Sequence, residues 1–326
     1  MVPILIITKS NHEPETDMTI LDIAKQVVTG QQYALNEVWR GIRDPRRAVS
    51  ELNQLYNHYR AGHQYNPEGI DVFAEDWDNL LVLDACRYDE FTRRSALPGR
   101  TEHRISRGSN SPEFIRGNFT GKELHDVVYI SANGWYAKLR DDIGADIHAF
   151  EFVKRDAVGG LTSRPETVAV AARAAAEAYP DKRLIVHFMQ PHQPYLGPLG
   201  ERFDFSGSMM DTVRHSGVSY EDVLEAYREN LDLVLEEVDP LLDDLPGKTV
   251  VTADHGELLG DREQPIPIRT YGHSEGVYHE SLVTVPWHVY ESGERKEIVA
   301  GGPSKKANDV DFEAVEQNLR DLGYRA

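Results

Sequence analysis

Thr249-Val250-Val251-Thr252-Ala253-Asp254-His255-Gly256-Glu257 joins a β-branched apolar run to a carboxylate and an imidazole lying side by side. Such a run is the pattern of a strand buried on both faces, and its end in ligand-type residues puts Asp254 and His255 where the strand leaves the sheet. Both side chains can bind one divalent cation there, while Gly256 lets the backbone pass close to it. Three other segments end or break in residues of the same kind: Leu81-Val82-Leu83-Asp84, then Ile185-Val186-His187-Phe188-Met189-Gln190-Pro191-His192, and Tyr271-Gly272-His273.

Outward from that stretch, strand and helix alternate from residue 77 onward. Strands are expected at Leu80 to Leu83, Val127 to Ser131, Leu184 to His187, Thr249 to Thr252 and Val285 to Tyr290. Helices are expected at Pro165 to Tyr179, with proline in the first turn and an alanine-rich body, at Tyr220 to Val238, and over 311 to 322. The alternation predicts an α/β fold, a doubly wound, mostly parallel sheet flanked by helices. Ligands of open α/β sheets sit at the carboxyl ends of the strands, where Asp84, His187 and Asp254-His255 all fall. Residues 16 to 65 carry apolar positions at helical spacing, with Asn66-Pro67-Glu68-Gly69 as a turn after them. This divides the chain into a helical N-terminal extension, 1–76, without identifiable chemistry, and a catalytic α/β domain, 77–326.

The 326 residues suffice for a full core, and the balance of 54 acidic against 35 basic residues gives a net charge of -19. Phosphate backbones would be repelled, so nucleic acid is not an expected partner. Arginine outnumbers lysine and the acids are spread along the chain, a pattern that suggests adaptation to high salt; the alternative is an ordinary acidic cytosolic protein. Cys86 is the single cysteine, which excludes an intrachain disulfide and a thiolate zinc cluster. The apolar start is too short for a signal peptide and no later run matches a membrane span, so a cytoplasmic location without an integral membrane segment is expected.

Each candidate has a plainer reading beside it. Asp84 ends a buried strand and needs a partner, either a metal ion or Arg87. His187 and His192 lie in a proline-stiffened segment that can hold imidazoles over a sheet edge, although a lone histidine is more often structural. His273 is the preferred third imidazole, and His279 is a solvated or supporting residue. The nucleophile is sought in Ser106-Arg107-Gly108-Ser109-Asn110-Ser111-Pro112-Glu113-Phe114. Ser111 reads as an N-cap with Pro112 at N1, and Ser109 is the second choice. A hydroxyl beside a cation at a helix start is activated twice over, yet a plain capping serine is the commoner case.

In the same order along the chain, Leu83-Asp84-Ala85-Cys86-Arg87, the serine turn before a helix, the His187 to Tyr195 segment, Thr252 to Glu257 and the stretch from His273 to Trp287 resemble the alkaline phosphatase superfamily. The likeness is to its sulfatase-like branch, and particularly to sulfatase-like proteins of haloarchaea. It covers roughly residues 77 to 292. It implies one metal position drawing on Asp84, Ser111, Asp254 and His255, and another, filled by a second metal or by basic substrate-binding groups, drawing on His187, His192 and His273. The chain departs from true sulfatases, whose nucleophile is a cysteine in a Cys-x-Pro-x-Arg sequence, since Cys86 stands in Cys86-Arg87-Tyr88. Ala85 also replaces the second Asp common at the sulfatase first strand.

The expectation is therefore a metal-dependent hydrolase or transferase of phosphate esters, mono- or diester, working through Ser111 and a covalent intermediate. Arg87 or Arg107 would neutralise the remaining phosphoryl oxygens or simply pair with acids. Oxygen and nitrogen ligands without thiolate permit zinc, manganese, magnesium or calcium, in one or two ions, with zinc or manganese favoured by the imidazoles. Loops 134–163 and 196–218 would shape a pocket for a small-molecule, glycan or lipid ester. Alternatives are a sulfate-ester hydrolase of non-formylglycine type, a phosphomutase, for which little room is left for a cap, and an inactive binding or scaffold protein of the same fold.

Overall fold

The computed structural model describes residues 49–50, 52–54, 56–57, 62–205, 208–302 and 312–321. The chain forms two compact units, Met1–Leu52 and Asn53–Ala326. Nearly all of the first, and with it most of the helical extension expected over 16–65, lies outside the described residues.

In the larger unit the strands are β1 (Asn79–Leu83), β2 (Arg100–Ile105), β3 (Glu123–Ser131), β4 (Asp146–Phe152), β5 (Arg183–Phe188), β6 (Gly247–Thr252), β7 (Leu258–Glu263), β8 (Ile268–Gly272) and β9 (Thr284–Ser292). The helices are α1 (Tyr88–Arg94), α2 (Ser111–Phe119), α3 (Trp135–Ile143), α4 (Pro165–Ala178), α5 (Met209–Ser216), α6 (Tyr220–Asp244), α7 (Glu280–Val283) and α8 (Phe312–Asp321). A seven-stranded sheet runs in the order β2-β9-β6-β1-β5-β3-β4, and β7 with β8 forms a separate hairpin. β6, β1, β5, β3 and β4 are parallel, while β9 pairs antiparallel with both β6 and β2. Because β9 alone is reversed, β2 ends at the same edge as the parallel strands.

The sheet is covered on both faces, as the strand sequences require. Leu81, Leu83, Val186, Phe188, Val251 and Ile130 face α4 and α6, whose Val168, Ala169, Ala172, Leu231, Val234 and Val238 join the same buried cluster. Leu80, Val82, Ile185, Tyr129 and Val250 point the other way, to Phe114, Ile115 and Phe119 of α2, Trp135 and Leu139 of α3, and Val315 and Leu319 of α8. Period-two alternation within β1, with both faces buried, is what makes its sequence continuously apolar.

Three expectations are corrected. Ser111 is not the N-cap of α2: Asn110 is, its Oδ1 accepting from Glu113 N at 2.9 Å, so Ser111 is the first helical residue. The helix expected to stop at Val238 runs on to Asp244 through Pro240, because Leu241 and Leu242 are fully buried and the contact outweighs the missing N–H. His187 lies inside β5, aligned with Val82 and Ser131, so only His192 belongs to the proline loop.

Candidate functional site

Each ligand-type side chain stands where its strand runs out. Asp84 follows β1, His187 is the penultimate residue of β5, Asp254 and His255 follow β6, and Asn133 follows β3. Ser111 arrives from β2 through the turn 106–110, which is fastened to the Asp254 segment by Ser106 Oγ donating to the Asp254 carbonyl. The strand order puts β6, β1, β5 and β3 side by side, and the side chains converge although they are distant in sequence.

His255 Nε2 is 3.5 Å from Asp84 Oδ1 and 3.4 Å from Asp254 Oδ2, and His187 Nε2 is 3.6 Å from Asp254 Oδ2. Atoms bound to one tetrahedral cation at about 2.0–2.1 Å stand roughly 3.3 Å apart, close to these separations. Asp84 Oδ1, Asp254 Oδ2 and His187 Nε2 are buried without a hydrogen-bond partner. Their other atoms are engaged: Asp84 Oδ2 accepts from Asn133 Nδ2 at 2.7 Å, and Asp254 Oδ1 from the amides of Ala85 and His255 at 3.1 and 2.9 Å. His255 Nδ1 lies 2.7 Å from the Gly256 carbonyl, which can only accept, so Nδ1 carries the proton and Nε2 keeps its lone pair. Orphaned oxygens and nitrogens facing one another in a buried space have no packing purpose, and the donor set fits a divalent cation.

Burial and the neighbouring Asp254 push the Asp84 carboxyl well above the usual range. For Asp254 burial acts in the same sense, but the His255 and His187 imidazoles, the Ser111 hydroxyl and the Ala85 amide outweigh it and hold the group low. Burial pushes His187 and His192 down to about 4 and lowers His255 as well. These imidazoles are neutral at pH 7 and free to donate a lone pair.

Ser111 Oγ lies 3.4 Å from His255 Nε2 and accepts from Asn133 Nδ2 at 3.0 Å. As Asn110 does the capping, the Ser111 hydroxyl is left to face the cluster. Ser109 Oγ turns elsewhere, donating to Glu113 Oε2 at 2.8 Å with the Ser274 carbonyl also at 2.8 Å.

A second group, His192, Glu257 and His273, could also hold an ion. The His273 ring lies 4.4 Å from that of His255 and 5.0 Å from that of His192, and its Nδ1 is 3.2 Å from both Glu257 oxygens. Burial lowers His273 and raises Glu257, but contact between the two outweighs it, so that His273 is raised and Glu257 lowered. The His192 loop is held by Asn230 of α6, whose Nδ2 donates to the carbonyls of Pro191, His192 and Pro194.

The grouping differs from expectation in membership. His187 stands with Asp84, Asp254 and His255 rather than with His192 and His273, and Glu257 takes the place left in the second group. Glu257 was legible as part of the Asp254-His255-Gly256-Glu257 run. Asn133 had no signal beyond following a strand. Arg87 does not reach the cluster: its guanidinium bonds Asp89 at 2.9 Å and Asp261 at 2.7 Å, the ion-pair alternative. Arg107 is likewise taken up by the Gly117 and Gly69 carbonyls. His279 caps α7, its Nδ1 accepting from Ser281 N.

No protein-family model matches the chain, and no curated protein does. Solved structures do. The C-terminal periplasmic domain of EcEptC from Escherichia coli, in complex with Zn, is similar at 14% identity and a TM-score of 0.47, over 79% of this chain and 86% of that one. The C-terminal periplasmic domain of phosphoethanolamine transferase EptC from Campylobacter jejuni is similar at 14% identity and 0.42, over 65% and 78%. The phosphonate monoester hydrolase SpPMH from Silicibacter pomeroyi is similar at 12% identity and 0.38, over 76% and 73%.

Proposed function

We propose that this chain is a metal-dependent enzyme of phosphate esters, a hydrolase or transferase with Ser111 as its nucleophile. The observation that carries the reading is the set of orphaned buried atoms, Asp84 Oδ1, Asp254 Oδ2 and His187 Nε2, gathered with His255 Nε2 beside the Ser111 hydroxyl. Held by Asp84, Asp254 and His255, with His187 completing the group, a divalent ion would lower the pKa of that hydroxyl and draw charge from the phosphoryl oxygens.

The remaining steps belong to the chain's own side chains. Ser111 Oγ, its proton given up to solvent, forms a bond to phosphorus, and the bond from phosphorus to the ester oxygen breaks, its electron pair leaving with that oxygen. His273, whose protonated form Glu257 favours, supplies the proton that the departing oxygen takes up. Water or an acceptor alcohol then attacks the phosphoserine, its proton passing to the now neutral His273, and the bond from phosphorus to Ser111 Oγ breaks with its electron pair returning to Oγ, giving hydrolysis or transfer. Asn133 Nδ2 orients the nucleophile and holds Asp84 so that Oδ1 stays free. His192 lies beside His273 as a neutral ring, its Nδ1 against the Gln193 carbonyl and its Nε2 keeping a lone pair. The contact of His273 Nδ1 with both Glu257 oxygens favours this direct role over a second ion, and a measured content near one ion per chain checks it.

The test is turnover of p-nitrophenyl phosphate, bis-p-nitrophenyl phosphate and p-nitrophenyl sulfate by the metal-loaded protein. Phosphate turnover should exceed sulfate turnover, vanish in Ser111→Ala and on removal of the ion by a chelator, and persist in Ser109→Ala. Activity that survives Ser111→Ala overturns the assignment.

A further inference from the structure

Ala85, directly after Asp84, sits at φ 62, and Val158 is the one other non-glycine residue at positive φ among the described residues. A Cβ makes this left-handed conformation unfavourable, so it persists only where the surroundings over-determine it. Both polar groups of Ala85 are held. Its N–H donates to Asp254 Oδ1 at 3.1 Å, and its carbonyl accepts from the Tyr227 hydroxyl at 2.8 Å. The same hydroxyl accepts from the Arg87 amide at 2.9 Å, so one oxygen of α6 clasps the turn on both sides. Tyr227 is fully buried, and no solvent can replace it.

The turn matters because of what it presents. With the Ala85 amide aimed at Asp254 Oδ1, the free oxygen of Asp254 is Oδ2, the one near His187 and His255. The turn also starts at Asp84, so its shape fixes how both carboxylates enter the cluster. We propose that Tyr227 is a positioning residue for the ion site: its hydroxyl holds Ala85 left-handed, and thereby selects the oxygens that Asp84 and Asp254 offer. This rests on the metal reading above and adds to it a residue that touches neither ion nor substrate.

The test uses the full chain with Tyr227→Phe, which keeps the ring and removes the clasp, Ala85→Gly, which adopts the turn without strain, and the pair combined. Zinc and manganese affinity is measured by competition with a chromophoric chelator, and amide hydrogen exchange at Ala85 and Arg87 is followed in the ion-free protein. Tyr227→Phe should weaken ion binding about 10- to 100-fold, the usual effect of removing a group that orients a ligand. It should also speed exchange at both amides. Adding Ala85→Gly should restore much of the affinity, whereas Ala85→Gly alone should leave it near that of the parent. A purely structural tyrosine would change thermal stability while leaving affinity intact and giving no rescue, and that result overturns the proposal. So does unchanged exchange at Ala85 and Arg87, whatever the ion does. A parent protein that binds neither metal refutes the metal reading itself, and is told apart by the parental titration.

Discussion

Glu257 shows how one residue sets the chemistry of another. Its carboxylate faces His273 Nδ1 and raises the imidazole above its ordinary value against the effect of burial. If His273 acts as the acid, activity is lost as pH rises through its pKa, so a raised pKa carries the active range upward. Glu257→Gln removes the charge, and the alkaline limb of the kcat/KM profile should move to lower pH; an unmoved limb would rule out this pairing as the source. Asp84, Asp254 and His255 were legible in the sequence because apolar β-branched runs lead straight into them, and a strand end has few uses for such residues. Asn133 was not, since an asparagine after Ser131 reads as a turn residue and its bonds to Asp84 and Ser111 join distant parts of the chain. His187 was found but placed in the wrong group, because its strand was expected to end one residue early and two histidines near prolines looked like one loop.

At the level of elements, α2 is the piece that would aim Ser111, the proposed nucleophile. Asn110 caps it, and Glu113 in its first turn accepts from Ser109 N at 2.7 Å and Gly276 N at 2.8 Å, tying the serine turn to the loop after His273. Asn110→Ala should cost about 1 kcal/mol of stability in denaturant unfolding. It should lower kcat as well, because Ser111 then competes for the capping role; a stability loss with kcat untouched would show that the cap and the nucleophile are independent. The central strands β1, β3, β5 and β6 were readable from their buried runs. β2 and β4 were not, since Arg100–Ile105 and Asp146–Phe152 are edge strands with exposed charged positions and so lack an apolar run. The proline-rich segment 265–267 lies in the turn of the β7–β8 hairpin, where Pro265 and Pro267 hid the flanking strands.

The whole molecule carries a net charge of -19, and its carboxylates repel one another unless salt screens them. We propose that it is built for concentrated salt. The Debye length falls from about 10 Å at about 0.1 M to about 3 Å at about 1 M, so thermal stability should climb across that interval in potassium chloride. A melting temperature that stays level or declines would remove the argument. Doubly wound topology was legible from the alternation of strand and helix. The single reversed strand was not, because Thr284–Ser292 has the composition of its parallel neighbours and direction is decided by the connection, here the β7–β8 hairpin and α7 that carry the chain across the site edge.

That reversal has an effect on how the protein is assembled. β2 is made early, but among the described residues its one neighbour in the sheet is β9, the last of the described strands. Until the carboxyl-terminal third has been synthesised, the serine turn, though held by Asn66 and Gly69, lacks its bond to the Asp254 carbonyl, and Asp254 and His255 do not exist. On the proposed reading a nascent or truncated chain lacks two of the groups that would hold the ion, and the site is complete only when the sheet is finished.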